Sequence, residues 1–190
     1  EGLLELSKKE DKKLNIIFWD LEASLMSALT FGIWDTSIPA SRITKHSHIL
    51  SNSYAFNDDE VQGMRLTVEQ VRDAEDLDVV VDTIRAIEKA DLMVTFNGNR
   101  YDKKLLNTRA LFHNLPPIKY PPHCDLMQLA KRNFKFPSNS MENISVYLGQ
   151  DGKLATSGSK LWERCFNWED YEECDKALEQ MLTYGKRDIH

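Results

Sequence analysis

Cysteine is scarce in this 190-residue chain: there are three, Cys124, Cys165 and Cys174, and none sits in a C-x-x-C pair. So odd and scattered a set argues against a disulfide framework or a zinc knuckle and fits a reducing, intracellular compartment, the cytoplasm. Long apolar runs are missing too. No stretch approaches the ~20 residues of a membrane span, so no membrane association is expected. No signal peptide is visible, and because the chain does not open with Met its true N-terminus is expected upstream. There is no repeat, linker or low-complexity tract, and the length suits one domain that buries about two-thirds of the surface its unfolded chain exposes. Positive charge is in deficit, with 24 Lys and Arg against 30 Asp and Glu for a net −6, which at first argues against a nucleic-acid partner.

The distribution of that charge argues otherwise. Residues 100–164 hold eleven bases and five acids, a balance of +6 that leaves −12 for the rest of the chain. A basic segment on an acidic chain is compatible with a polyanion lying across one face, and chance clustering is the competing account.

Residues 1–13 read as a polar lead-in and 14–190 as the domain. Residues 14–20 are apolar enough for a central buried strand, and 29–34 (LTFGIW) and 47–56 read as two more. An acidic loop follows at 57–60. Leu77, Val80, Val81, Ile84 and Ile87 are spaced for one face of a helix over 71–90. A strand is expected at 92–96, a helix at 102–114 and a proline-rich connector after it. Further helices are expected at 125–134, capped by Asp125, and at 138–149, capped by Ser138 or Ser140 and closed by Gly149. Residues 152–160 read as a loop. Asn167 is expected to cap a last helix over 168–190 that the chain end cuts short. This order points to an α/β domain with a mixed sheet.

Two apolar runs end abruptly in acids. NIIFWDLEAS at 15–24 carries Asp20 and Glu22, which face the same way if the segment is a strand. VTFNGNRYDKK at 94–104 leads through Asn97 and Tyr101 to Asp102. Charges at the end of a buried strand are costly unless a cation pairs with them, so two such ends suggest a divalent metal site. D-x-E also occurs at Asp58/Glu60, Asp73/Glu75 and Asp170/Glu172, all in polar segments that read as solvated faces. The Y-x-x-x-D spacing of Tyr184/Asp188 recurs at Tyr54/Asp58, Tyr147/Asp151 and Tyr171/Asp175. Asp188 stands apart because it shares a helical stripe with Ala177, Met181 and Tyr184. An acid on an apolar stripe near a helix C-terminus is disfavoured unless a cation is close.

The order D-x-E, then N-x-x-x-Y-D, then Y-x-x-x-D resembles the DnaQ-like 3′→5′ exonucleases, in the tyrosine-bearing DEDD group. WDLEAS, FGIWD, CDLMQLAK, FKFPSNSMENISVYLG and the terminal M-x-x-Y-x-x-x-D resemble YprB-type ribonuclease H-like domains more closely still, over residues 14–190. The resemblance implies a ribonuclease H-like fold, a five-stranded mixed sheet flanked by helices with its second strand antiparallel. It implies that Asp20, Glu22, Asp102 and Asp188 hold two divalent cations, Mg²⁺ or Mn²⁺, and that Tyr184 orients the attacking water. Nucleic acid, with a single-stranded 3′ end favoured, would be the substrate and 5′-mononucleotides the product. Two positions depart from the family pattern: Ala23 where Thr is common, and Phe96 where many YprB-type domains have His. Leu25 and Met26 could form an apolar wedge beside the terminal base or pack in the core. Phe96, Asn97, Arg100 and Lys103 are the remaining candidates for substrate contact. The competing readings are a binding or scaffold module of the same fold with little turnover and a structure-specific endonuclease, which would release oligomers.

Overall fold

The computed structural model describes residues 13–32, 37–150 and 159–189. Its central strand is β1 (Ile16–Ala23), along which burial alternates: Ile17, Trp19, Leu21 and Ala23 are buried, whereas Phe18, Asp20 and Glu22 are half-buried. A short ribbon, β2 (Ser27–Ala28) with β3 (Ile43–Lys45), stands apart from the main sheet. The sheet continues through β4 (Ile49–Phe56) and β5 (Gln62–Arg65), then β6 (Leu92–Thr95) and β7 (His123–Asp125), in the order β5-β4-β1-β6-β7. β4 runs antiparallel to both neighbours, and β6 and β7 run parallel to β1. The fold is therefore an α/β ribonuclease H-like sheet with its second main strand antiparallel.

Helices cover both faces. α1 (Val68–Asp73) leads into α2 (Leu77–Glu88), which with α3 (Asp102–Phe112) lies on one face against β4. Asn52 of β4 fixes α2 there, donating to Asp82 Oδ2 and Thr83 Oγ1 at 2.9 Å each. α4 (Leu126–Asn133) and α5 (Met141–Tyr147) follow, then α6 (Lys160–Phe166) and α7 (Tyr171–Ile189). α7 packs across β4, β1 and β5 and buries Cys174, Ala177, Leu178, Met181 and Gly185, the one-sided spacing of an amphipathic helix.

Asp76 is the polar hub of the α2–α3 side. It is fully buried and accepts from Arg109 Nε (2.7 Å) and Nη2 (2.8 Å), His113 Nε2 (2.6 Å) and the Ile49 amide (2.8 Å). Burial alone would raise its carboxyl, but the hydrogen bonds from Arg109, His113 and Ile49 outweigh it and hold the group below the usual carboxylate range.

Several expectations need correction. The helix read over 71–90 is two helices. Ala74, at φ 57°, ends α1, and Asp76 must leave the helical path to reach Arg109. The buried stripe of α2 is Val79, Val80, Thr83, Ala86 and Ile87, with Leu77 exposed. No strand forms at 29–32, where Leu29 and Phe31 are exposed; residues 33–34 lie outside the described residues, and the pairing there falls to Ser27–Ala28. β5 and β7 were not expected. Both are short, and β7 follows Pro121 and Pro122 at the sheet edge, where proline is tolerated. Asn167 closes α6 rather than capping the last helix, and Asp170 accepts from the Glu173 amide at the start of α7. The lead-in, save Lys13, and most of the expected 152–160 loop lie outside the described residues.

Candidate active site

The site opens where β1 outruns its neighbour. β6 pairs with β1 only over Ile16–Phe18, so Asp20 to Ala23 project beyond the parallel pairing. A register shift between Glu22 and Ala23 re-aims the strand end. Ser24 then ties that end to β4: its amide donates to the His48 carbonyl (2.8 Å) and its hydroxyl accepts from the His48 amide (3.0 Å). Asp20 pairs in register with Ser53 and Glu22 with Ser51, so the two acids and two small serines share one face of the sheet.

α7 crosses that face at close range because its contact residue is Gly185. A Cβ there would meet Ser53 Oγ at 2.9 Å and Glu22 Cγ at 3.9 Å. One turn on, Asp188 reaches the acids of β1. Carboxylate oxygens of Asp20, Glu22 and Asp188 all lie within 4.8 Å of one another. Tyr184, one turn before Asp188, packs edge-to-face on Trp162 of α6, with ring centroids 6.1 Å apart.

The β6–α3 loop supplies the opposite wall. Asp125 clamps it: Oδ1 accepts from the Asn97 amide (3.0 Å) and Oδ2 from the Asn99 amide (3.1 Å), while the same carboxylate caps α4 through Met127 and Gln128. Asn97 takes φ 68°. Gly98 lies so close beneath Thr95 that a Cβ would fall 2.4 Å from Thr95 Oγ1. His123 completes the brace, donating from Nδ1 to Asn99 Oδ1 (3.0 Å) and accepting at Nε2 from the Thr95 hydroxyl (2.8 Å). Held this way, Asp102 opens α3 and is only 5% exposed. Burial raises it to about 6, with a contribution from Asp125, against the opposing pull of the Asp102 and Leu21 amides. Burial likewise raises the neighbouring Tyr101 phenol, and the charges of Asp102 and Glu22 add to it.

A groove of about 520 Å³ runs over these groups. Asp20, Glu22, Asp102, Tyr184 and Asp188 line it, with Phe96 and Asn97 at one side. The other candidates are not among its lining residues. Leu25 and Met26 are exposed past the end of β1, so neither packs in the core. Arg100 is exposed, and Lys103 lies over the Tyr120 ring at 4.4 Å. Sequence reasoning missed the wall made by Met127, Ser140, Met141 and Glu142, the loop clamp at Asp125 and the Trp162 support. Asp125 was legible only as a cap; its second task depends on contacts between distant segments.

The donors that converge are carboxylates, hard oxygen ligands of the kind Mg²⁺ and Mn²⁺ take. Three half-buried acids this close repel one another, and a divalent cation would offset that cost. The residues therefore fit a divalent metal site.

A family profile described as the RNase H superfamily matches residues 41–190. The chain belongs to the RNase H superfamily. Among solved structures it is similar to a family B DNA polymerase from the hyperthermophilic archaeon Pyrobaculum calidifontis, with TM-score 0.64 and 14% identity over 93% of this chain. The match covers 23% of that polymerase, so the likeness is one of fold. No curated protein sequence matches the chain. No described helix of this RNase H superfamily member is long and apolar enough to cross a membrane.

Proposed function

We propose that the chain is a metal-dependent 3′→5′ exonuclease of the DnaQ-like tyrosine DEDD group, closest to the YprB-type domains. It hydrolyses phosphodiester bonds of DNA or RNA from a single-stranded 3′ end and releases 5′-mononucleotides. The observation that carries this reading is the convergence of Asp20 and Glu22 with Asp188, which lies 168 positions after Asp20. Membership of the RNase H superfamily supports a nucleic-acid hydrolase.

Asp20, Glu22 and Asp188 would hold one Mg²⁺ or Mn²⁺, and Asp20 with Asp102 a second. When bound, such ions lower the pKa of a water and neutralise charge on the scissile phosphate. Tyr184 positions the water or a phosphate oxygen by hydrogen bonding rather than taking a proton, since phenols as a class ionise only near pH ~10. Trp162 limits the swing of the Tyr184 ring. Phe96 offers an apolar edge to a sugar or base, and the backbone of Asn97 is held for contact by Asp125.

The reading is checked by incubating end-labelled single-stranded DNA and RNA with Mg²⁺ or Mn²⁺ and sizing the products over time. Mononucleotides from the 3′ end, abolished by chelator, are expected. Internal oligomers as first products would make the protein an endonuclease.

A further inference from the structure

Beyond the groove, the α4–α5 connection and the end of α5 carry an aromatic cluster that no core explains. Phe134 is 60% exposed and Tyr147 66% exposed. Phe136, half-buried, sits between them, its ring centroid 5.5 Å from Phe134 and 5.3 Å from Tyr147. None of the three belongs to the hydrophobic core. Leaving two large rings open to water is unfavourable, and here they are also held in place by a third ring, so less freedom is lost when something covers them.

The surroundings say what that something is. Lys131, Arg132 and Lys135 neighbour Phe134 and Phe136 in sequence and are exposed; among the described residues none of the three forms an ion pair. Over residues 126–150 these three bases face one acid, Glu142, on a chain whose net charge is −6. Flat rings interleaved with cations match stacked bases joined by phosphates, the recurring pattern of single-strand binding. The location fits as well. Met127 of α4 and Met141 of α5 line the groove, and Tyr147 stands six residues further along α5, about 9 Å at 1.5 Å per residue.

We propose that Phe134, Phe136 and Tyr147, with Lys131, Arg132 and Lys135, form a stacking platform for single-stranded nucleic acid, holding the nucleotides upstream of the one in the groove. This rests on the nuclease reading of the groove. Bases stack on Phe134 and Tyr147, Phe136 sets the spacing of the two rings, and the three cations meet phosphates. The platform makes the enzyme prefer strands long enough to span both sites.

The experiment compares the full chain with Phe134→Ala, Tyr147→Ala and Tyr147→Phe, all first checked for native circular dichroism. Affinity for a fluorescent 12-nucleotide single strand is read by anisotropy in Ca²⁺. Hydrolysis of a dinucleotide is read separately in Mn²⁺. Each alanine variant should weaken 12-mer binding by roughly 5- to 150-fold, the span of base–aromatic stacking, while Tyr147→Phe keeps wild-type affinity. Dinucleotide hydrolysis should not change, because a short strand occupies the groove alone. Lys131→Ala or Arg132→Ala should each lower the salt slope by about 0.7. Wild-type affinity for the 12-mer in both alanine variants, with dinucleotide hydrolysis intact, overturns the platform and leaves the nuclease reading standing. Ring-dependent binding without hydrolysis overturns the nuclease reading alone. If light scattering shows that Phe134→Ala breaks a dimer while 12-mer affinity holds, the face is a protein interface and the proposal is wrong.

Discussion

Gly185→Ala adds one methyl at the seam between α7 and β4, and the consequences can be worked from the contacts. The new Cβ would lie 2.9 Å from Ser53 Oγ, against the 3.4–4 Å of ordinary contact, so about half an ångström must be found. Ser53 is 2% exposed, which leaves its hydroxyl little room, and α7 itself is expected to lift. Overpacking of this kind costs about 1–3 kcal/mol. Alanine returns about 1 kcal/mol of helix propensity, so the net loss of stability should be about 0–2 kcal/mol. Activity should suffer more. Tyr184 and Asp188 bracket the glycine, and lifting the helix separates Asp188 from Asp20 and Glu22. A 1 Å misplacement can cost ~10²-fold, so a shift of half that predicts roughly a 10-fold fall in hydrolysis. Ser53→Ala in the same chain removes the 2.9 Å contact and leaves the serine Cβ at 3.7 Å, an ordinary distance, so the double variant should recover most of the rate. Denaturant melts and nuclease rates on the four proteins measure this. Full activity in Gly185→Ala, or no recovery in the double variant, refutes the idea that helix height sets the geometry of the acids.

Asp188→Asn should lose on the order of 10²-fold or more in hydrolysis, since even changes around metal ligands cost 10–100-fold, with Tyr184→Phe falling between it and wild type. Asp175→Asn should stay nearly as active as wild type, because Asp175 pairs with Arg65 at 3.0 Å, away from the groove; the reverse order in rate assays would misplace the site. Asp76→Asn leaves the Arg109 guanidinium buried without its counter-charge and should cost about 3–5 kcal/mol in urea unfolding. Because the folded Asp76 carboxyl is depressed, its contribution is present above the unfolded pKa of ~3.9 and fades as pH falls through the folded value, so wild type should lose stability in acid more steeply than Asp76→Asn. Asp102 runs the other way. Raised to about 6, it penalises the ion-free fold progressively as pH rises from about 4 through 6, and thermal melts without metal should show a decline over that window that Asp102→Asn flattens.

How much of this was legible in the sequence follows from how local each signal is. Asp20, Glu22 and Asp102 could be singled out because an apolar strand ending in acids is a local contradiction. Asp188 could be chosen over Asp175 because helical spacing sets it on an apolar stripe. The ends of β4 and β6 and the Asp125 cap were local signals too. The break at Ala74 was not, since no glycine or proline marks it and its cause, Arg109, is 35 positions away. β5 and β7 are four and three residues long, too short for a period, and exist because β4 and β6 offer them edges. Trp162 and the Asp125 clamp likewise depend on packing between distant segments. Leu25, Met26, Arg100 and Lys103, expected as substrate contacts from their closeness in sequence to the acids, are not among the residues that line the groove.

Manganese titration followed by electron paramagnetic resonance tests the central claim most directly. The account predicts two Mn²⁺ bound per chain in the wild type, and loss of at least one in Asp20→Asn at unchanged circular dichroism, with hydrolysis of a single strand lost in the same variant. A wild type that binds no Mn²⁺, or an Asp20→Asn variant that binds two ions and cleaves as before, would contradict it.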